Sequence, residues 1–193
     1  MMEKISKEKL SEDIRFVLRR LYEEDCLLIK CGANERCLSA RFFAYIMDYT
    51  KHDDAYVIND DTYVDTGKRL DWDPEYNRKG IEGEPKDMGG GRRLQKIIPD
   101  IVLHHRGNDF ANICVFEFKR KWRSLKADFE KLAYLTGPAY RYRFGVSIVL
   151  LSDRVKLFWF RKGKMDPNSP EIYSTKTWEP LQNSTDEGLR GYS

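Results

Sequence analysis

Residues 97–121 read IIPDIVLHHRGNDFANICVFEFKRK. Two apolar runs, Ile97 to His105 and Asn112 to Lys121, flank the polar segment Arg106-Gly107-Asn108-Asp109, which carries a glycine and suits a hairpin turn. In an antiparallel pair, the positions of facing residues have a constant sum. With the turn centred on Asn108 and Asp109 that sum is 217, so Asp100 faces Glu117. A shift of one residue in the turn still leaves them close. Side chains alternate along a strand, which puts Glu117 and Lys119 on one face and Phe116 and Phe118 on the other. Two carboxylates and an ammonium therefore converge where the first strand begins and the second ends. Like charges facing each other destabilise a sheet. A hard divalent cation with oxygen ligands is the natural counter-charge.

Outward from this hairpin, periodicity gives the neighbouring elements. Lys7 to Glu24 places Leu10, Ile14, Val17, Leu18 and Leu21 on one helical face. Cys26 to Ile29 reads as a short extended piece. Asn34 caps a second helix ending near Tyr49, with Leu38, Phe42 and Ile46 facing inward. Tyr56 to Val64 reads as a bent strand or a small hairpin. Asp65 to Gly91, rich in Gly, Pro, Asp and Lys, shows no pattern and reads as a long functional loop. After the hairpin, Ser124 caps a helix with Leu125, Phe129, Leu132 and Leu135 inward, stopped by Gly137-Pro138. Phe144 to Leu151 is nearly all apolar, as in a strand covered on both faces. Val155 to Arg161 is a further strand. Lys162 to Ser193 reads as a polar tail anchored by Tyr173, Trp178 and Leu181. The expected architecture is α/β, a mixed sheet flanked by helices in the order αβββαβ.

Composition bounds the class. A chain of 193 residues suits one domain, with a core from about 34 to 161, an N-terminal helix and the polar tail. Its 41% hydrophobic and 34% charged residues are those of a soluble protein, and no apolar run approaches a membrane span, so no membrane partner is expected. The polar N-terminus lacks secretory character, and a cytoplasmic location follows. Cys26, Cys31, Cys37 and Cys114 form no CxxC pair and read as free thiols rather than a zinc site. His104 and His105, within the hairpin, read as structural or exposed rather than metal-ligating. The charge is uneven. Asp48 to Asp87 holds 12 acidic and 6 basic residues, and Arg92 to Arg143 holds 12 basic and 5 acidic. A basic field around an acidic cluster fits a polyanionic partner, nucleic acid above all.

Glu35 stands in the first turn of the second helix, at the edge of its inward stripe. It is either an acid favoured by the helix dipole or a ligand reaching the sheet. With it, the pattern Pro99-Asp100 and Glu117-Phe118-Lys119 resembles the signature of the PD-(D/E)xK nuclease superfamily, the restriction-endonuclease-like fold. The helix carrying Asp128, Lys131, Leu132 and Leu135 resembles that family's D-x-x-K-L-x-x-L helix. The match spans about 34 to 151, and the 65–91 insertion and the tail lie outside it.

The resemblance implies an enzyme, a Mg²⁺- or Mn²⁺-dependent nuclease acting on nucleic acid, with DNA the expected substrate. Asp100, Glu117 and the backbone carbonyl of Phe118 would hold the metal, with Glu35 completing the set. Asp100, Glu117, Lys119 and Glu35 would form the catalytic group, Lys119 orienting water and meeting charge on the phosphate. Arg92, Arg93, Lys96, Arg120, Lys121, Arg123 and Lys126 would grip the backbone. Lys131 reads as a phosphate contact or a surface lysine, and Trp122 as a stacking or a packed ring. A homodimer is the state that cutting both strands would call for. The alternative is a catalytically inactive nucleic-acid-binding or regulatory member of the same fold.

Overall fold

The computed structural model describes residues 5–57, 69–75, 87–88, 95–106, 111–120 and 125–181, with the backbone alone at 87–88 and 95–96. Helix α1 (Lys7–Glu24) starts at Ser6, whose hydroxyl accepts from the Lys9 amide at 3.1 Å. All five apolar residues of its stripe are buried. Helix α2 (Cys26–Lys30) follows, then α3 (Glu35–Thr50), capped by the Asn34 carbonyl oxygen on the Cys37 amide at 2.8 Å. A 3₁₀ turn at Asp54–Tyr56 leads to strand β1 (Asp71–Pro74).

Strands β2 (Asp87–Met88) and β3 (Gln95–Lys96) form a separate two-stranded ribbon. Then come β4 (Ile101–His104), β5 (Cys114–Lys119), α4 (Leu125–Thr136), β6 (Phe144–Leu150) and β7 (Arg154–Arg161). Strands β8 (Lys164–Met165) and β9 (Glu171–Ser174) complete the order. The main sheet runs β1-β4-β5-β6-β7-β8, with β9 also paired to β7. β5 and β6 are parallel, joined through α4, and the other pairs are antiparallel.

The sheet is covered on both faces. Phe116, Phe118, Val146, Ile148 and Leu157 pack with Leu10, Ile14, Phe42 and Ile46 of α1 and α3. The Phe42 ring lies 5.1 Å from that of Phe118. Val102, Val115, Val149 and Phe158 pack on the other side with Leu125, Phe129, Leu132 and Leu135 of α4. Every residue of β6 is buried, as its continuous apolar run requires. Gly145 makes the close approach of α4 possible. A Cβ there would meet Thr136 Cγ2 at 3.0 Å and Leu132 Cδ2 at 3.3 Å.

The mixed sheet with flanking helices is as expected, but the order αβββαβ is not matched. The ribbon β2–β3 interrupts the strand series, and β7, β8 and β9 extend the sheet beyond it. Cys26 to Ile29 is helical rather than extended. Its backbone closes on Asp25, where the Leu28 amide donates to the carbonyl at 2.9 Å, and an apolar run of that length has no period to decide between the two. Tyr56 ends a 3₁₀ turn, and only the bridge Val57–Arg69 continues from it. Positions 58–64 lie outside the described residues. The 65–91 segment is not wholly patternless, since β1 within it pairs with β4 as an edge strand that ends in Pro74, a place where proline is tolerated. The tail likewise contributes β8 and β9; Tyr173 is buried and Trp178 packs partly buried against the core, but Leu181, expected as a third anchor, is exposed.

Candidate metal and phosphodiester site

The β4–β5 register has Ile101 opposite Phe116, Val102 opposite Val115 and Leu103 opposite Cys114. Every pair sums to 217, the value the turn sequence dictates. One step further, Asp100 stands against Glu117. The Asp100 amide donates to the Phe116 carbonyl at 3.2 Å, and the Phe118 amide donates to Asp100 Oδ2 at 2.7 Å. The Asp100 carboxyl is thus fixed to the end of β5 by the strand backbone itself. Burial raises its pKa, and the Phe118 amide and the neighbouring lysines oppose that shift.

Glu117 is 2% exposed, because its face of β5 lies under α4. Burial pushes its pKa up to about 8, with Asp100 and Asp128 adding to the shift and the Lys131 ammonium opposing it. Its Oε2 lies 2.6 Å from Lys131 Nζ. Its Oε1 is buried without a hydrogen-bond partner among the described residues. Such an oxygen is costly in a folded protein unless something positive or protonated meets it.

Lys119, on the same face of β5, reaches past the strand end. Its Nζ donates to Glu35 Oε2 at 3.1 Å and stands 3.3 Å from Asp128 Oδ2, an ion pair rather than an aligned hydrogen bond. Glu35 also accepts from the Arg120 amide through Oε1 at 3.1 Å. The start of α3 is therefore pinned to the end of β5. Asp128, in the first turn of α4, is buried, which raises its pKa, and Lys119 and Lys131 oppose the shift. Burial disfavours the charged form of Lys119, but Glu35 and Asp128 outweigh it and hold the ammonium above its ordinary pKa.

Asp100, Glu117, Lys119 and Glu35 thus belong to one cluster, together with two residues whose contacts the sequence did not give. In the sequence Asp128 stands out only as part of a helix motif, and Lys131 reads only as a phosphate contact or a surface lysine. Their i, i+3 spacing on α4 puts both on one face and is the signal that could have assigned them. Lys131 also donates to the Ile98 carbonyl at 3.2 Å.

The expected phosphate-gripping residues fare differently. Arg120 turns inward, its guanidinium donating to the carbonyls of Ala33 and Ile29, each at 2.9 Å. Lys126 is exposed on α4. Arg92, Arg93, the Lys96 side chain, Lys121, Trp122 and Arg123 lie outside the described residues.

Nearby, at the β1 edge, Asp73 is buried between His104 Nε2, at 2.9 Å, and a bidentate Arg106. These partners hold Asp73 well below the usual carboxylate range against the effect of burial. His104 is thus structural, as expected. Cys26, Cys31, Cys37 and Cys114 are free, with Cys114 buried.

Among the described residues, no three His, Cys, Asp or Glu side chains come close enough together to hold a metal ion. Glu35, expected to complete the metal set, has its two oxygens on Lys119 Nζ and the Arg120 amide, so the set that remains is two facing acids, Asp100 and Glu117, with the neighbouring Phe118 carbonyl. Its hard oxygen donors and the partnerless Glu117 Oε1 fit Mg²⁺ or Mn²⁺. Among the described residues no helix is long and apolar enough to cross a membrane. Compared with family models, curated proteins and solved structures, the chain matches none.

Proposed function

We propose that this protein is a divalent-cation-dependent nuclease with a restriction-endonuclease-like core, of the PD-(D/E)xK type, hydrolysing phosphodiester bonds in DNA. The observation that carries the reading is the strand-end juxtaposition. Asp100 is locked to the Phe118 amide opposite Glu117, a buried acid with one oxygen unpartnered, and Lys119 follows two residues later on the same face. The arrangement of the main sheet supports the fold reading, since antiparallel β1–β4–β5 leads through α4 to a parallel β6.

Asp100, Glu117 and the Phe118 carbonyl would hold Mg²⁺ or Mn²⁺, which when bound supplies Lewis acidity and a water of lowered pKa. The chain's own groups do the rest. Lys119 Nζ, held by acids from two different helices, keeps its proton and presents a positive charge at the strand end. There it orients a water by donating to it and meets negative charge that develops on a phosphate. Glu35 and Asp128 position that ammonium, and Glu35 also fixes the strand end through the Arg120 amide. Basic residues that follow β5 provide the field that draws a polyanion toward the cluster.

A second reading, the non-catalytic nucleic-acid-binding member, is favoured by one observation. Both lysines of the cluster already have carboxylate partners. A cleavage assay separates the two. Purified protein is incubated with linear and circular DNA, single-stranded DNA and RNA, in Mg²⁺ or Mn²⁺. The nuclease reading expects cleavage of DNA that a chelator stops and that Asp100→Asn protein lacks. Absence of cleavage on every substrate in both ions overturns it.

A further inference from the structure

We infer that Lys131 is an internal counter-cation of the carboxylate cluster, displaced from Glu117 when a divalent ion binds and then available to a phosphate. The inference rests on the metal site proposed above. Its own support is the pair of contacts at Lys131 Nζ, 2.6 Å from Glu117 Oε2 and 3.2 Å from the Ile98 carbonyl. The Glu117 side chain is 3% exposed and that of Lys131 is 21% exposed. A buried carboxylate needs a positive partner, and Lys131 supplies it.

A divalent ion on Asp100 and the partnerless Glu117 Oε1 makes the same demand of the same carboxylate whose Oε2 Lys131 holds. Two cations cannot both press on one carboxylate at contact distance without repelling each other. Of the two lysines, Lys131 is the one placed to yield. Lys119 is shared by two acids, Glu35 and Asp128, whereas Lys131 has one acid and a neutral carbonyl. Its four-carbon stem is flexible. The carbonyl it touches belongs to Ile98, a residue 47% exposed, so the ammonium already lies near solvent. Swung off Glu117, it adds a charge at the mouth of the site, where a phosphate of the substrate would approach. One side chain thus prevents acid–acid repulsion in the metal-free protein and gains a ligand contact in the loaded one.

The experiment is a Mn²⁺ titration, read from the resonance of unbound Mn²⁺, on the parent protein, Lys131→Met and Glu117→Gln, with circular dichroism to verify folding. Lys131→Met retains the apolar stem and removes the competing charge. It should bind Mn²⁺ about tenfold more tightly than the parent, because a buried charge left unpaired is strongly destabilising. Glu117→Gln should bind more weakly than the parent. Should Lys131→Met fail to fold, Lys131→Gln, which can still donate to Ile98, gives the same comparison. A second readout is duplex binding in Ca²⁺. There the salt dependence of the parent should be steeper than that of the Lys131 variant by about one unit, with no difference in chelator. A parent that binds Mn²⁺ no more weakly than the Lys131 variant overturns the inference and leaves the metal site standing. A parent whose Mn²⁺ binding is nil, or is unchanged by Glu117→Gln, overturns both.

Discussion

Glu117 is an acid held where its charged form is disfavoured. Its pKa of about 8 in the folded chain lies well above that of an unfolded glutamate, and burial is the main cause. The folded state therefore keeps a proton that the unfolded state has lost between about pH 4.5 and pH 8. The resulting stability is present below that window and is lost as pH rises through it. Carboxylates held low, such as Asp73, have finished titrating at the acid end and do not mask the trend. Denaturant unfolding of the metal-free protein should show stability falling from pH 5 to pH 8, and Glu117→Gln should flatten the slope. An equal slope in both proteins would show that Glu117 ionises normally.

Lys119 makes the catalytic prediction. Lys119→Ala should fold and should lose about 10²–10³-fold in cleavage rate, the usual cost of removing one preorganised donor to charge that develops in the transition state. A rate equal to the parent's would remove Lys119 from the reaction. At this scale, much of the site was legible. Period-two alternation and a turn centre put Asp100, Glu117 and Lys119 together. Asp128 and Lys131 were not assigned their contacts, because these depend on how α4 docks across β5, which no local pattern encodes. Arg120 was read as a phosphate contact because it sits in a basic run, yet two backbone carbonyls take its guanidinium.

Those two carbonyls matter at the scale of elements. Ile29 belongs to α2 and Ala33 lies just before α3, so Arg120 ties the α2–α3 connection to the end of β5. Gly32, between them, has φ +84°, and a Cβ on it would stand 3.2 Å from the Arg120 guanidinium. Arg120→Met should therefore destabilise the fold by about 1–3 kcal/mol, the cost of leaving buried acceptors unmade. It should leave the salt dependence of duplex binding unchanged. A shallower salt slope with unaltered stability would return Arg120 to the phosphate path.

The helices α1, α3 and α4 were legible because their apolar stripes are long, and α1 and α3 carry local caps, while the Ser124 cap expected for α4 lies outside the described residues. Strands β4 to β7 were legible because they are rich in apolar, aromatic and β-branched residues. β1 was hidden for the opposite reason. Apart from Trp72, Asp71-Trp72-Asp73-Pro74 consists of residues depleted in strands, and it is held by pairing with β4, by the Trp72 indole on Thr50 and by Asp73 on His104 and Arg106. β8 and β9 are similarly supported by β7.

Across the whole molecule, two strand ends in register between layers of helix bring two acids face to face. The register could be computed from the turn. The extent of the sheet could not, since its outer strands depend on long-range pairing. The proposed function requires Asp100 and Glu117 together to bind a divalent cation. A ligand that binds only the folded state stabilises it by roughly 1.4 kcal/mol at ten times its Kd. For a chain of this size that raises Tm by about 2–4 °C per kcal/mol. The measurement is the Tm of the parent and of Asp100→Asn, each with millimolar Mg²⁺ or Mn²⁺ and with chelator. Measured above pH 8, where Glu117 is ionised, the parent should gain a few degrees with metal, Asp100→Asn should not respond, and Asp100→Asn should be at least as stable as the parent in chelator, since the substitution removes acid–acid repulsion. A parent indifferent to both ions, with Asp100→Asn several kcal/mol less stable in chelator, would contradict the proposed function and make the acids structural partners of the lysines.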